Sequence, residues 1–217
     1  MHPLEKEYRF RVEFYDYPTA GRPPSPIRAL ELSITGFEAE LYGEMYSQDY
    51  VLCLSSHLES YSFSTAPGGY DNKALMLARA RSISPRPPPY YQYHTESVCK
   101  ALGEAIVSCL LRKLGVEKIY RLPGSGSVWK PLNADFLIDV EGSMLKEIFE
   151  TISSPALVET RGYAVPRESW LKTIAKMRNQ VYVLKTIYHT PLDSLTAVVY
   201  TGETVSSPRK VIIAYTH

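Results

Sequence analysis

Residues 8–15, "YRFRVEFY", alternate strictly between two chemistries. In an extended chain Tyr8, Phe10, Val12 and Phe14 face one way, and Arg9, Arg11 and Glu13 face the other, because strand side chains change sides at every residue. This pattern predicts a half-buried strand. Such a strand needs a second layer over its apolar side. "ALELSI" repeats the pattern with Leu30, Leu32 and Ile34 on one side. Between the two, "YPTAGRPPSP" holds four prolines, which cannot join a central strand, and reads as a loop.

The strongest helical signal supplies a candidate for that second layer. Thr95 is placed to cap a helix of about 20 residues at 3.6 residues per turn, with Glu96 in the first turn against the helix dipole. Val98, Ala101, Leu102, Ala105, Ile106, Cys109, Leu110 and Leu114 fall on one face. Lys113 lies near the C-terminus and Gly115 supplies the stop. Upstream, "ISPRPPPYYQYH" is expected to be extended, and polyproline-like over Pro87–Pro89. Gly36 and Gly43 bracket a short turn or helix. Residues 50–63 read as one long strand or two short ones, and 73–82 as helix or strand. If both are strands, Pro67-Gly68-Gly69 is a hairpin turn.

Downstream, "VEKIYRL" and "ADFLIDV" predict strands and "SMLKEIFETI" a short helix capped by Ser143. "PRESWLKTIAKMRNQ" predicts another helix, with Pro166 in its first turn and Trp170, Ile174 and Met177 on one face. "VYVLKTIY", "TAVVY" and "KVIIAYT" read as three closing strands. Strands first, then helices and strands mixed, then strands again predict an α+β fold. Its antiparallel or mixed sheet would pack on about three helices, in a single domain over 1–217.

Composition narrows the function classes. The formal net charge is +1, so a nucleic-acid binder would have to gather its cations on one face. There are 17 Tyr against 6 Phe and 2 Trp, which favours flat surfaces with polar tips, either in the core and on the sheet or at a contact with bases or a partner protein. Cys53, Cys99 and Cys109 form no close pair, and the last two fall about 15 Å apart on one helix, beyond disulfide reach. "MHPLEKEYRF" lacks the apolar centre of a signal peptide, and "AIVSCLL" is too short to span a membrane. A reduced, cytoplasmic setting is the expectation.

Catalytic motifs are weak throughout. "PGSGS" lacks the Lys-Ser/Thr that a phosphate loop needs, which leaves Lys130 as a cation for a phosphate at a loop edge. Asp135, Asp139 and Glu141 have the even spacing of one strand face. They could hold Mg²⁺ for nucleotidyl transfer or nuclease work, and they are the carboxylates an enzyme of nuclease or glycosylase type would use, although strand ends meeting solvent explain them as well. "EKEYR" resembles the Glu-x-Glu-x-Lys strand of triphosphate tunnel enzymes, but Arg9 stands in the last position and no late partner strand exists. The five histidines show no metal spacing, so neither a metal nor a cofactor is expected. His189 and Asp193 in "YHTPLDSL" read as a turn between two strands. An acid–base pair, assisted by Glu59 and Tyr61 of "HLESYSF", is the alternative. Residues 73–93 interleave Lys73, Arg79, Arg81 and Arg86 with Tyr90, Tyr91 and Tyr93. That mixture can neutralise phosphates and stack on splayed bases, or simply keep an exposed loop solvated.

"YRFRVEFYDY", "ELYGEMYSQDYVLCLS", "KPLNADFLIDV" and "HTPLDSL" together resemble RAMP-type subunits of type I CRISPR surveillance complexes. They are most similar to the type I-D subunit that caps the five-prime end of the guide RNA. The resemblance implies a ferredoxin-like core, a protruding hairpin over about 55–95 that grips RNA, and a non-catalytic role in antiviral defence within a ribonucleoprotein. Its partners would be single-stranded, guide-like RNA and other protein subunits. The glycine-rich loop that many such proteins carry near the C-terminus is missing here, since only Gly202 follows Gly162. Two other classes stay open: a nucleic-acid-processing enzyme, and a viral or mobile-element structural protein whose Tyr- and Pro-rich surfaces are protein contacts.

Overall fold

In the computed structural model, the described residues are 4–17, 25–47, 89–122, 134–163, 170–188, 192–201 and 209–216. Seven strands form one mixed sheet: β1 (Glu7–Tyr17), β2 (Arg28–Thr35), β3 (Lys118–Arg121), β4 (Phe136–Asp139), β5 (Ala156–Tyr163), β6 (Asp193–Tyr200) and β7 (Lys210–Thr216). Their order across the sheet is β2-β1-β7-β6-β5-β4-β3. The pairs β1/β7 and β5/β6 are parallel and the other four antiparallel. The helices are α1 (Gly36–Tyr46), α2 (Pro89–Lys113), α3 (Met144–Ile148) and α4 (Trp170–Tyr188). The fold is therefore α+β, a curled sheet with three long helices packed on it.

The alternation in β1 and β2 is used as it reads. Tyr8, Phe10, Val12, Phe14 and Ile34 are fully buried on the inner face, and Leu30 and Leu32 pack against the same core. Helix α2 lies in the concavity. From Cys99 to Leu111 every residue except the half-buried Lys100 is buried. A helix buried all round needs cover on both sides, and α1 completes it. Tyr46 of α1 meets the Phe136 ring of β4 edge-on at 6.1 Å, so the sheet curls far enough for an element beside β2 to touch β4. α1 is started by a capping box: the Glu38 N–H donates to Thr35 Oγ1 at 3.1 Å, and the Thr35 N–H donates to Glu38 Oε2 at 2.7 Å. α2 is stopped as expected at Gly115 (φ 86°). The Gly115 N–H reaches the Arg112 carbonyl and the Val116 N–H the Leu111 carbonyl, each at 3.0 Å, the paired bonds of a Schellman ending.

Four expectations are corrected. "VYVLKTIY" is not a strand but the second half of α4, so two strands close the chain, not three. Its apolar residues, interrupted only by Lys185 and Thr186, suit either structure, and extending an existing helix avoids the cost of a new nucleus. Residues 89–94 are helical rather than extended, and Thr95 is an interior helix residue rather than the N-cap. Pro89 takes the first helical position, where its missing N–H costs nothing. Ser143 precedes α3 at the cap position, but its hydroxyl donates back to the Val140 carbonyl at 2.6 Å and does not cap the helix. Finally, a ferredoxin-like unit splits each βαβ with another strand. Here β5 and β6, joined by α4, are direct neighbours, so that arrangement is not the one among the described strands. Of the expected hairpin over 55–95, residues 89–95 belong to α2 and the rest lie outside the described residues.

Candidate nucleic-acid interface

The face of the sheet opposite α2 carries a row of cations and aromatic rings. Strand register puts Arg11 beside Lys210, Lys210 beside Tyr200 and Tyr200 beside Tyr163. Four adjacent strands thus contribute one row, about 14 Å long at 4.8 Å per strand. Glu13 lies in the next row. It accepts from Arg11 Nε at 2.9 Å, from Lys210 Nζ at 2.5 Å and from the Tyr15 hydroxyl at 2.6 Å. Burial alone would raise the Glu13 carboxyl, but the Lys210, Tyr15 and Arg11 bonds outweigh it and hold the group below its ordinary value. One carboxylate thus fixes two cations and leaves the pair with a net positive charge. Arg11 keeps half of its side chain exposed.

The aromatic half of the row is a stack. The Tyr163 and Tyr200 rings lie 5.9 Å apart and 26° from parallel, with Tyr200 buried and Tyr163 half-buried. The Tyr163 hydroxyl meets Thr173 Oγ1 of α4 at 3.4 Å, and Trp170 tilts over Tyr15 at 4.7 Å between centroids. Helix α4 therefore packs on this face, with Ile174 fully buried against Tyr15, Val198, Tyr200, Ile212 and Ala214, and the row runs out from beneath it toward Arg11.

A second feature of this face is a buried polar row. Glu159 stands beside Thr196, and Asp135 is at the matching place just before β4. Glu159 is 1% exposed. Its Oε1 meets Arg161 Nη2 at 2.8 Å, while Glu159 Oε2 and Thr196 Oγ1 have no hydrogen-bond partner among the described residues. Burial pushes the Glu159 carboxyl up to about 8. The Asp135 charge adds to this, and Arg161 offsets only part.

Most residues singled out from the sequence lie elsewhere. Lys73, Arg79, Arg81, Arg86, Lys130, Glu59, Tyr61 and His189 are outside the described residues. Tyr90, Tyr91 and Tyr93 belong to the first two turns of α2. "YHTPLDSL" joins a helix to a strand, not two strands, and Asp193 Oδ2 accepts from the Ser153 N–H at 2.7 Å. The three carboxylates do not converge as a metal site. Asp135 Oδ2 accepts from both N and Oγ1 of Thr160 at 2.7 Å, extending the ladder past the end of β4. Asp139 holds Ser154 Oγ at 2.7 Å and Lys118 Nζ at 3.1 Å, and Glu141 sits in the following turn. Among the described residues no three His, Cys, Asp or Glu side chains could hold a metal ion. Cys99 and Cys109 are buried, and burial pushes Cys109 up to about 12, which leaves it un-ionised and unreactive at neutral pH. Among the described residues no helix is long and apolar enough to cross a membrane.

Sequence reasoning missed Lys210, Tyr200, Tyr163 and Arg161 as candidates. Arg11 was legible as facing away from the core, but nothing local reveals that its neighbour comes from β7, nearly 200 residues later. No protein-family model, no curated protein and no solved structure matches the chain.

Proposed function

We propose that this protein is a non-catalytic RNA-binding subunit of a nucleic-acid-targeting ribonucleoprotein complex, and that single-stranded RNA lies across the outer face of the sheet. The observation that carries the reading is the row Arg11, Lys210, Tyr200 and Tyr163. Cations at one end neutralise phosphates, and the half-buried Tyr163 offers a ring on which an unpaired base can stack. The sequence resemblance to CRISPR subunits supplies the kind of assembly. The strand order differs from that family's core, so the weight rests on the chemistry of the row.

Gel-shift and fluorescence titrations with a short single-stranded RNA test it. The wild type binds, with affinity falling as salt rises. Arg11→Gln weakens binding and lowers the salt slope by about one. Tyr163→Ala costs about 1–3 kcal/mol of binding without changing that slope. Binding that ignores both changes in correctly folded variants overturns the proposal.

A further inference from the structure

Helix α1 carries an apolar stripe on the side turned away from α2. Phe37, Leu41 and Met45 are 60%, 39% and 56% exposed, whereas Gly36, Ala39, Gly43 and Tyr46 are buried beneath. Steps of four residues keep the three side chains in one line, about 12 Å long at 1.5 Å per residue. Single exposed apolar residues are ordinary on a protein surface; three large ones in a line mark an interaction site.

The charges around the stripe say what fits it. At 100° per residue, about the pitch of an α-helix, Glu44 and Glu40 flank the line on one side and Glu38 on the other. The helix contains no lysine or arginine. Glu38 is held by Lys113 Nζ at 2.7 Å from the α2 side. A second copy of α1 laid on this surface would bring acid against acid, which disfavours self-association through it. A row at i, i+4 and i+8 is also the ridge that packs into the groove of another helix.

We propose that α1 docks an amphipathic helix of a partner protein, one whose apolar ridge is flanked by lysines and arginines. The proposal rests on the reading of the chain as a subunit of a larger assembly and adds the chemistry of one neighbour. It uses a surface separate from the Arg11–Tyr163 row.

The test uses the full chain and a fluorescein-labelled 18-residue helical peptide. Its leucines have i, i+3, i+4, i+7 spacing and lysines flank them; a control peptide has glutamates in place of the lysines. Fluorescence anisotropy is expected to show saturable binding of the lysine peptide and at least tenfold weaker binding of the glutamate peptide. Leu41→Lys and Met45→Lys, at exposed positions, weaken the lysine peptide at least tenfold while the far-UV circular dichroism and the RNA gel shift stay unchanged. No binding of the lysine peptide, equal binding of both peptides, or indifference to the substitutions overturns the proposal. So does a dimer in sedimentation velocity that Met45→Lys dissociates, since the occupant is then a second copy. Loss of RNA binding in Arg11→Gln with peptide binding intact supports both readings separately. If RNA binding is absent altogether and the peptide still binds, the RNA reading falls and this one stands.

Discussion

The backbone of Gly162 in β5 rests against the backbone of Cys99 in α2: a Cβ at Gly162 would stand 1.7 Å from the Cys99 carbonyl oxygen. One turn further along α2, a Cβ at Gly103 would stand 2.9 Å from the Gly162 nitrogen. Helix and strand cross here with no side chain between them. Nothing flexible can yield, because the obstructing atoms are main chain. Gly162→Ala is expected to lower stability by about 3 kcal/mol or more, or to prevent folding, with urea denaturation as the measurement. Gly103→Ala is expected to cost less. Equal stability of Gly162→Ala and wild type would show that α2 does not cross β5 at this point.

Glu159 predicts a pH dependence. Its carboxyl titrates at about 8 in the folded protein against an ordinary value of 4.5, so the folded state holds a proton that the unfolded chain has released. The corresponding stability is fully present below about 4.5 and is lost as pH rises from there through about 8. The loss is on the order of 3–5 kcal/mol. Glu159→Gln, which keeps the shape and cannot ionise, is expected to remove that slope. Comparing urea midpoints of the two proteins from pH 4 to 9 checks it, and parallel profiles refute it.

Asp135 serves two neighbours at once. It accepts both polar hydrogens of Thr160, and its charge raises Glu159. Asp135→Ala orphans the buried Thr160 donors and is expected to cost about 1–3 kcal/mol. Asp135→Asn keeps an acceptor and removes the charge. It is expected to cost less and to move the Glu159 titration downward, as read by carboxyl carbon NMR. An unmoved Glu159 would place the cause of its shift in burial alone.

The capping box of α1 gives a local test. Thr35→Ala removes the acceptor for the Glu38 N–H and is expected to lower stability by about 1 kcal/mol in thermal denaturation. Thr35→Ser, which preserves the bond, should restore most of it. If Ala and Ser are equivalent, the cap contributes nothing to α1.

Local patterning alone determined β1 and β2 with the correct faces inward, the apolar positions of α2 from Ala101 to Leu114, the stop at Gly115, and the strands β6 and β7. Each of these signals is a period or a cap that one element carries within itself. What the tertiary structure decided has partners far apart in the chain. Residues 181–188 are helical because α4 runs on through an apolar stretch that would equally suit a strand. From Cys99 to Leu111 helix α2 is covered on every side because the sheet curls about it and α1 closes over it, which no one-sided apolar stripe announces. Lys210 reaches Glu13, and Tyr200 meets Tyr163, because β7 and β6 insert between β1 and β5. The Glu159 carboxyl is pushed up to about 8 because burial withholds water and the strands place Asp135 beside it. Periodicity tells which side of an element seeks cover; strand register decides which charges and rings then share a row.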